Sequence, residues 1–157
     1  MFNIVPVSAF TDNYIWVIHD QYYAVVVDPG EAKPVLDFLE QKKLKIIAIL
    51  NTHHHIDHVG GNLELLQQFQ VPVYGPGSEL ISTVTNPLKE GDSVYLPELS
   101  LRLSILDIPG HTAGHIAYYG ANLLFCGDTL FSCGCGRLFE GTAQQMYISL
   151  NKLEKLP

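Results

Sequence analysis

The chain has 157 residues, 47% hydrophobic and 16% charged. That length buries a core without disulfide or metal staples, and the composition excludes a disordered chain, a coiled coil and a highly charged surface binder. Nine basic residues against sixteen acidic ones leave a net charge of −7, so phosphate backbones gain no general attraction and nucleic acid is not an expected partner. Val-, Ile- and Tyr-rich runs at 4–7, 14–18 and 23–27 are separated by Thr11-Asp12-Asn13 and other turn-formers, which reads as a strand meander. Pro34 opens a helix through about Gln41, with Val35, Leu36 and Leu39 on one side. The continuous apolar run 46–50 predicts a strand covered on both faces. A histidine-rich turn, an amphipathic helix over 62–69 and a short strand near Val73 follow. Further on, 100–108 alternates as a strand, and 115–119 and 123–126 give two more, joined by Gly120-Ala121-Asn122. Thr142 starts the last helix with Gln145 as its capping-box partner and Met146, Leu150 and Leu153 as its apolar stripe. Strands and helices mixed in both halves predict a layered α/β domain.

Three sparse cysteines, Cys126, Cys133 and Cys135, do not make a disulfide framework. The residues after Met1 lack a basic segment followed by a long apolar one, so no signal peptide is expected. The longest aliphatic runs fall far short of the ~20 residues that span a bilayer. A cytoplasmic protein with no membrane partner is the expectation.

The strongest chemical signal is Thr52-His53-His54-His55-Ile56-Asp57-His58, directly after a buried strand. Neutral imidazole is a common ligand for zinc-like ions, and a carboxylate adds a hard oxygen. Alternate residues of an extended segment share a face, so His53 and His55 point the same way. Asp57 and His58 lie a turn further on and suit a second ion. His54 occupies a variable position of the HxHxDH pattern and reads as a bystander. Pro109-Gly110-His111 follows another strand, where ligand sites of α/β sheets gather, and His111 is the natural third imidazole for the first ion. His115 reads as a hydrogen-bonded structural residue. Asp128 ends the apolar run Leu124-Phe125-Cys126. A carboxylate there needs a partner: it either bridges two ions or caps a turn. Asp28, also at a strand end, is either a turn residue or an acceptor for a ligand histidine's free N–H.

Taken together these residues resemble the metallo-β-lactamase superfamily, in that family's order: Asp28, then HxHxDH, then a lone His, then an Asp. Asp12-Asn13-Tyr14-Ile15-Trp16, Gly127-Asp128-Thr129-Leu130-Phe131 and Gly134-Cys135-Gly136-Arg137-Leu138-Phe139-Glu140-Gly141-Thr142 resemble its glyoxalase II (hydroxyacylglutathione hydrolase) branch. The resemblance implies a metallo-β-lactamase-like αβ/βα sandwich. It implies one metal on His53, His55 and His111, a second on Asp57 and His58, and Asp128 bridging. Two divalent ions follow, zinc first, with iron or manganese as alternatives. The implied reaction is hydrolysis of S-(2-hydroxyacyl)glutathione thioesters, such as S-D-lactoylglutathione to glutathione and D-lactate, in methylglyoxal detoxification. Asp57 and Asp128 would serve the chemistry. Arg137 would lie near the glutathione moiety, with Phe139 where the branch often has Tyr. Cys135 reads as structural.

The family pattern also has a histidine beyond Asp128, and none follows His115 here. The branch carries a helical glutathione-binding domain as well. The resemblance therefore implies that 1–157 is a catalytic domain incomplete at its C-terminus, lacking that helical domain, with a face left open to self-association. The alternatives are a metal-binding remnant without turnover and a related hydrolase acting on another ester, a lactone or a β-lactam.

Overall fold

Strand alternation divides the apolar residues between two faces, and the computed structural model, which describes residues 1–157, uses both. Strands β1 (Asn3–Ala9), β2 (Asn13–His19) and β3 (Tyr23–Val27) form the antiparallel meander. Helix α1 (Ala32–Lys42) then returns the chain to β4 (Lys45–Leu50), parallel to β3. After α2 (Ile56–Val59) and α3 (Asn62–Gln68), β5 (Val73–Pro76) and β6 (Asn86–Leu88) complete a six-stranded mixed sheet in the order β1-β2-β3-β4-β5-β6. The second sheet is antiparallel, in the order β10-β9-β8-β7. It is built from β7 (Ser93–Leu96), β8 (Leu101–Asp107), β9 (Ile116–Gly120) and β10 (Leu123–Phe125). A small ribbon, β11 (Leu130–Phe131) with β12 (Gly134–Cys135), precedes α4 (Ala143–Glu154).

The two sheets pack through Val25, Val27, Ala48 and Leu50 from the first and Leu101, Leu103, Ile105, Ile116 and Tyr118 from the second. The opposite face of the first sheet, with Val17, Ala24, Val26, Ile46 and Ile49, is covered by Val35 and Leu39 of α1 and Leu65 of α3. On the far side of the second sheet, Leu153 of α4 packs on Ile108 and Ala117. The layers are thus helix, sheet, sheet, helix. The register between β3 and β4 slips at Ala24/Val25, leaving Ile47 as an extra residue. Such a bulge lets two neighbours face one side, and Ile47 and Ala48 both pack into the inter-sheet core.

The structure corrects several local expectations. Helix α1 begins at Ala32, so Pro34 is its third residue. Proline is tolerated there because the first four N–H groups of a helix have no intrahelical acceptor. Ser100 is left-handed, with φ 49°, closing a 3-10 turn, so β8 starts at Leu101. His115 precedes β9 rather than opening it. The capping box at Thr142 and Gln145 forms. The buried stripe of α4, however, is Met146, Ser149 and Leu153, with Leu150 only half-buried. Ser149 tolerates burial because its hydroxyl donates to the Pro109 carbonyl at 2.7 Å. Cys135 is exposed on the ribbon. No helix is long and apolar enough to cross a membrane.

Candidate metal centre

Strands β3 and β4 run parallel and end together, so Asp28 and the turn 51–58 emerge at one edge of the sandwich. A buried amide frame shapes that turn. Asn51 Nδ2 donates to the His58 carbonyl at 3.2 Å, Asn62 Nδ2 donates to Asn51 Oδ1 at 2.8 Å, and the Tyr118 hydroxyl donates to the Asn51 carbonyl at 2.9 Å. The frame leads the chain into α2, which presents Asp57 and His58. His111 follows β8 and Asp128 follows β10, reaching the same edge from the second sheet.

Asp28 has φ 52°, a left-handed conformation that Asp tolerates better than most residues. Its Oδ1 accepts the Thr52 N–H at 2.8 Å, and its Oδ2 accepts the Thr52 hydroxyl at 2.6 Å and faces His58 Nδ1 at 3.1 Å. Between the two sequence alternatives, this is the acceptor role. A carboxylate only accepts, so His58 Nδ1 carries hydrogen and Nε2 is the ring atom turned towards the site. Thr52 spends its hydrogen on Asp28 and offers oxygen to His53 Nδ1 at 3.0 Å, which leaves His53 Nε2 as an acceptor. His111 Nδ1 donates to the Arg137 carbonyl at 2.7 Å, and its Nε2 lies 2.9 Å from His55 Nδ1. One donor atom from each of His53, His55 and His111 falls within 4.8 Å of the others.

Asp128 spans the two groups: Oδ1 is 3.2 Å from His58 Nε2 and Oδ2 is 3.4 Å from His111 Nε2. Asp57 Oδ2 is 3.5 Å from His58 Nε2 and accepts from Asn13 Nδ2 at 2.9 Å. His115 is buried, stacks on His53 with centroids 4.5 Å apart, and accepts the Asp128 N–H at 3.2 Å through Nε2. It holds the backbone of Asp128 and lies behind the ligand atoms. His54 is bonded elsewhere, between Glu79 and Glu140. The Arg137 side chain is exposed, and its link to the site is the main-chain carbonyl. Phe139 is exposed and sets its ring edge-to-face on His55 and His111, at 5.1 and 5.3 Å. Gly127 has φ 46°, and a Cβ there would run into Thr52 and the His115 ring. The turn before Asp128 therefore requires glycine.

The electrostatics fit a cation. Burial, then the neighbouring imidazoles of His115 and His58, hold His53 far below the ordinary histidine range, so it is neutral with a free lone pair. Burial lowers His115 to about 3. Burial also pulls on His58, but the nearby carboxylates of Asp128 and Asp28 outweigh it and push His58 up to about 10. The opposed signs report excess negative charge around His58. Burial raises Asp128, yet His58 and then His111 and His115 outweigh it, and Asp128 stays below the usual carboxylate range. The Nε2 atoms of His53 and His58 are buried without a hydrogen-bond partner. His58 Nε2 approaches two carboxylates without hydrogen-bond geometry to either. Orphaned buried nitrogens cost about 1–3 kcal/mol each, and a divalent ion would satisfy both. The donor set of imidazole and carboxylate suits zinc, iron or manganese.

Sequence reasoning assigned no role to Asn13, Thr52, Glu79 or Glu140. Asn13, Thr52 and Glu140 lie within motifs, but only the fold shows what they hold. Nothing local marks Glu79.

The helix–sheet–sheet–helix sandwich thus gathers histidines and carboxylates able to hold metal at one edge. A model of the metallo-beta-lactamase superfamily matches residues 10–157, and the chain belongs to that superfamily. It is 64% identical over 157 residues to the hydroxyacylglutathione hydrolase of Nitrosomonas europaea, covering 100% of this chain and 60% of that protein. The chain spans about 60% of the length of the curated relatives it matches. Among solved structures, ETHE1 from Myxococcus xanthus superposes with a TM-score of 0.86 at 30% identity, over 100% of this chain and 71% of that one. TTHA1623, solved in a di-iron-bound form, gives 0.80 at 28% identity, over 98% of this chain and 87% of that one.

Proposed function

We propose that this chain carries the catalytic centre of a hydrolase of S-(2-hydroxyacyl)glutathione thioesters, releasing glutathione and a hydroxy acid such as D-lactate from S-D-lactoylglutathione in the cytoplasmic detoxification of methylglyoxal. The observation that carries the reading is the 64% identity along the whole chain to a protein named for that reaction. The convergence of His53, His55 and His111 beside Asp128 supports the reaction class. His53, His55 and His111 would hold one ion, Asp57 and His58 another, and Asp128 both, with zinc as the first candidate. When bound, such ions supply Lewis acidity and activate water at neutral pH. The chain's own residues do the rest. Asp28 and the Arg137 carbonyl fix the ring tautomers of His58 and His111. Thr52 links His53 to the Asp28 carboxylate. Asn13 aims Asp57. Phe139 walls the imidazoles on the solvent side, and Arg137 offers a cation to the glutathione carboxylates. The thiolate leaving group needs no general acid, and water, not a Ser or Cys side chain, would be the nucleophile.

A second reading, a chain that holds metal without turnover, is favoured by one observation: a single imidazole, His58, serves the second position. Metal analysis combined with an S-D-lactoylglutathione assay separates the two. About two metals per chain with thioester hydrolysis is the expected outcome. About one metal with no hydrolysis would establish the second reading. Exposed Tyr147 and Ile148 on α4 give the chain an apolar patch for self-association.

A further inference from the structure

His54 stands inside the metal-binding turn, yet each of its ring nitrogens faces a carboxylate outside the ligand set. Nδ1 is 2.9 Å from Glu79 Oε2 and Nε2 is 3.2 Å from Glu140 Oε1. The Glu79 side chain is only 3% exposed. Its second oxygen accepts the Thr112 hydroxyl and, at 3.1 Å, the Gly114 N–H. The second oxygen of Glu140 accepts the Ala113 N–H at 2.8 Å. The cluster is held by the His54–Glu79 hydrogen bond and by the bonds from both glutamates to residues 112–114. It ties together four segments distant in sequence: the 52–58 turn, the loop at Glu79, the turn around 110–115 and the segment 137–141. Main-chain bonds continue the seam, with Phe139 N–H donating to the His111 carbonyl at 3.1 Å and Gly141 N–H to the Gly110 carbonyl at 3.1 Å.

We propose that His54, Glu79 and Glu140 are positioning residues, a side-chain clamp that holds residues 137–140 across the metal centre. Two groups depend on the held segment. The Arg137 carbonyl fixes the His111 ring at 2.7 Å, and the Phe139 ring abuts His55 and His111. Releasing the clamp leaves the segment held by its main-chain bonds alone and loosens the acceptor that orients His111, and weakening of such an outer partner lowers metal affinity, by about 10–100-fold where it is lost outright. The inference rests on His111 being a metal ligand, as proposed above, and not on the identity of the thioester.

The test uses the 157-residue chain and its H54A, E140A, E140Q and H54A/E140A variants, with zinc alone as the probe. Tryptic cleavage after Arg137 reads how tightly the segment is held, and chelator competition reads zinc affinity. H54A and E140A should be cut after Arg137 roughly tenfold faster than the parent and bind zinc about tenfold more weakly, while still unfolding cooperatively. E140Q keeps one acceptor, for the Ala113 N–H, and offers an amide N–H to a neutral His54 Nε2, so it should lie nearer the parent than E140A. The double variant should be no worse than the stronger single one, since both remove the same clamp. Parental cleavage at Arg137, or parental zinc affinity, in a folded H54A or E140A chain would overturn the proposal. Should H54A fail to fold, E140A carries the test, because the Glu140 side chain is 39% exposed on a loop. Absence of thioester hydrolysis in the parent, with these shifts intact, would remove the substrate reading and leave the clamp standing.

Discussion

The two sides of the metal centre are built on opposite terms. On one side Asp28, Thr52, His53 and His58 are all under 10% exposed and interlocked by side-chain hydrogen bonds at the end of two parallel strands. On the other, Leu130, Phe131, Leu138 and Phe139 are each more than 40% exposed on a two-stranded ribbon and the segment after it. The comparison teaches where precision is stored. Ring orientation is fixed where water is excluded and a lost hydrogen bond is costly. The solvent side contributes apolar surface and a main-chain carbonyl, and gains its rigidity from contacts made elsewhere.

The largest effect should come from pH, acting on the buried side. In the metal-free chain His53 and His115 are held below their ordinary value of 6.5, so they bind protons when unfolded and not when folded. Their stabilisation is present above the unfolded value and is lost as pH falls. Two such protons amount to on the order of 5 kcal/mol between pH 6.5 and 4.5. His58 has the opposite sign: its contribution is complete below 6.5 and is lost as pH rises towards about 10. Urea titrations of chelator-treated protein should show a maximum near pH 6.5–7 and a steeper acid limb. Equal limbs would contradict the difference in proton count. A smaller effect is expected from Thr52→Val. It keeps the shape but removes the link between Asp28 and His53, and should lower zinc affinity about 10–100-fold by competition titration. Parental affinity would mean that the buried hydrogen bonds do not tune the ligands. Thr142→Ala should give the smallest change, about 1 kcal/mol of stability from the lost cap and no change in zinc affinity. It acts just beyond the exposed side, and a fall in affinity would show that α4 also positions the site.

Most elements were legible because their pattern is local. The meander, the buried run of β4 and the capping box of α4 each follow from adjacent residues, whereas the set His53, His55, Asp57, His58, His111 and Asp128 was implied by the order of the motifs and the family they resemble. What escaped depends on distant partners. The strands β6 and β7 are short and interrupted by turn residues. The ribbon strands β11 and β12 have two residues each. The extra Ile47 is visible only against β3. Ser149 was missed because a hydroxyl on an apolar stripe is explained only by the Pro109 carbonyl. Asn13 and Glu79 were missed because they lie 44 and 25 residues from the groups they hold.

Residue 137 serves the centre through its peptide oxygen while its side chain projects into solvent. Any amino acid that keeps the local backbone can supply that oxygen. The identity of the side chain is therefore free to change without disturbing the imidazole behind it. A single position thus separates two properties that in many sites must vary together. Substitutions at residue 137 that keep the local backbone should accordingly leave the orientation of His111 as it is, because only the peptide oxygen reaches that ring.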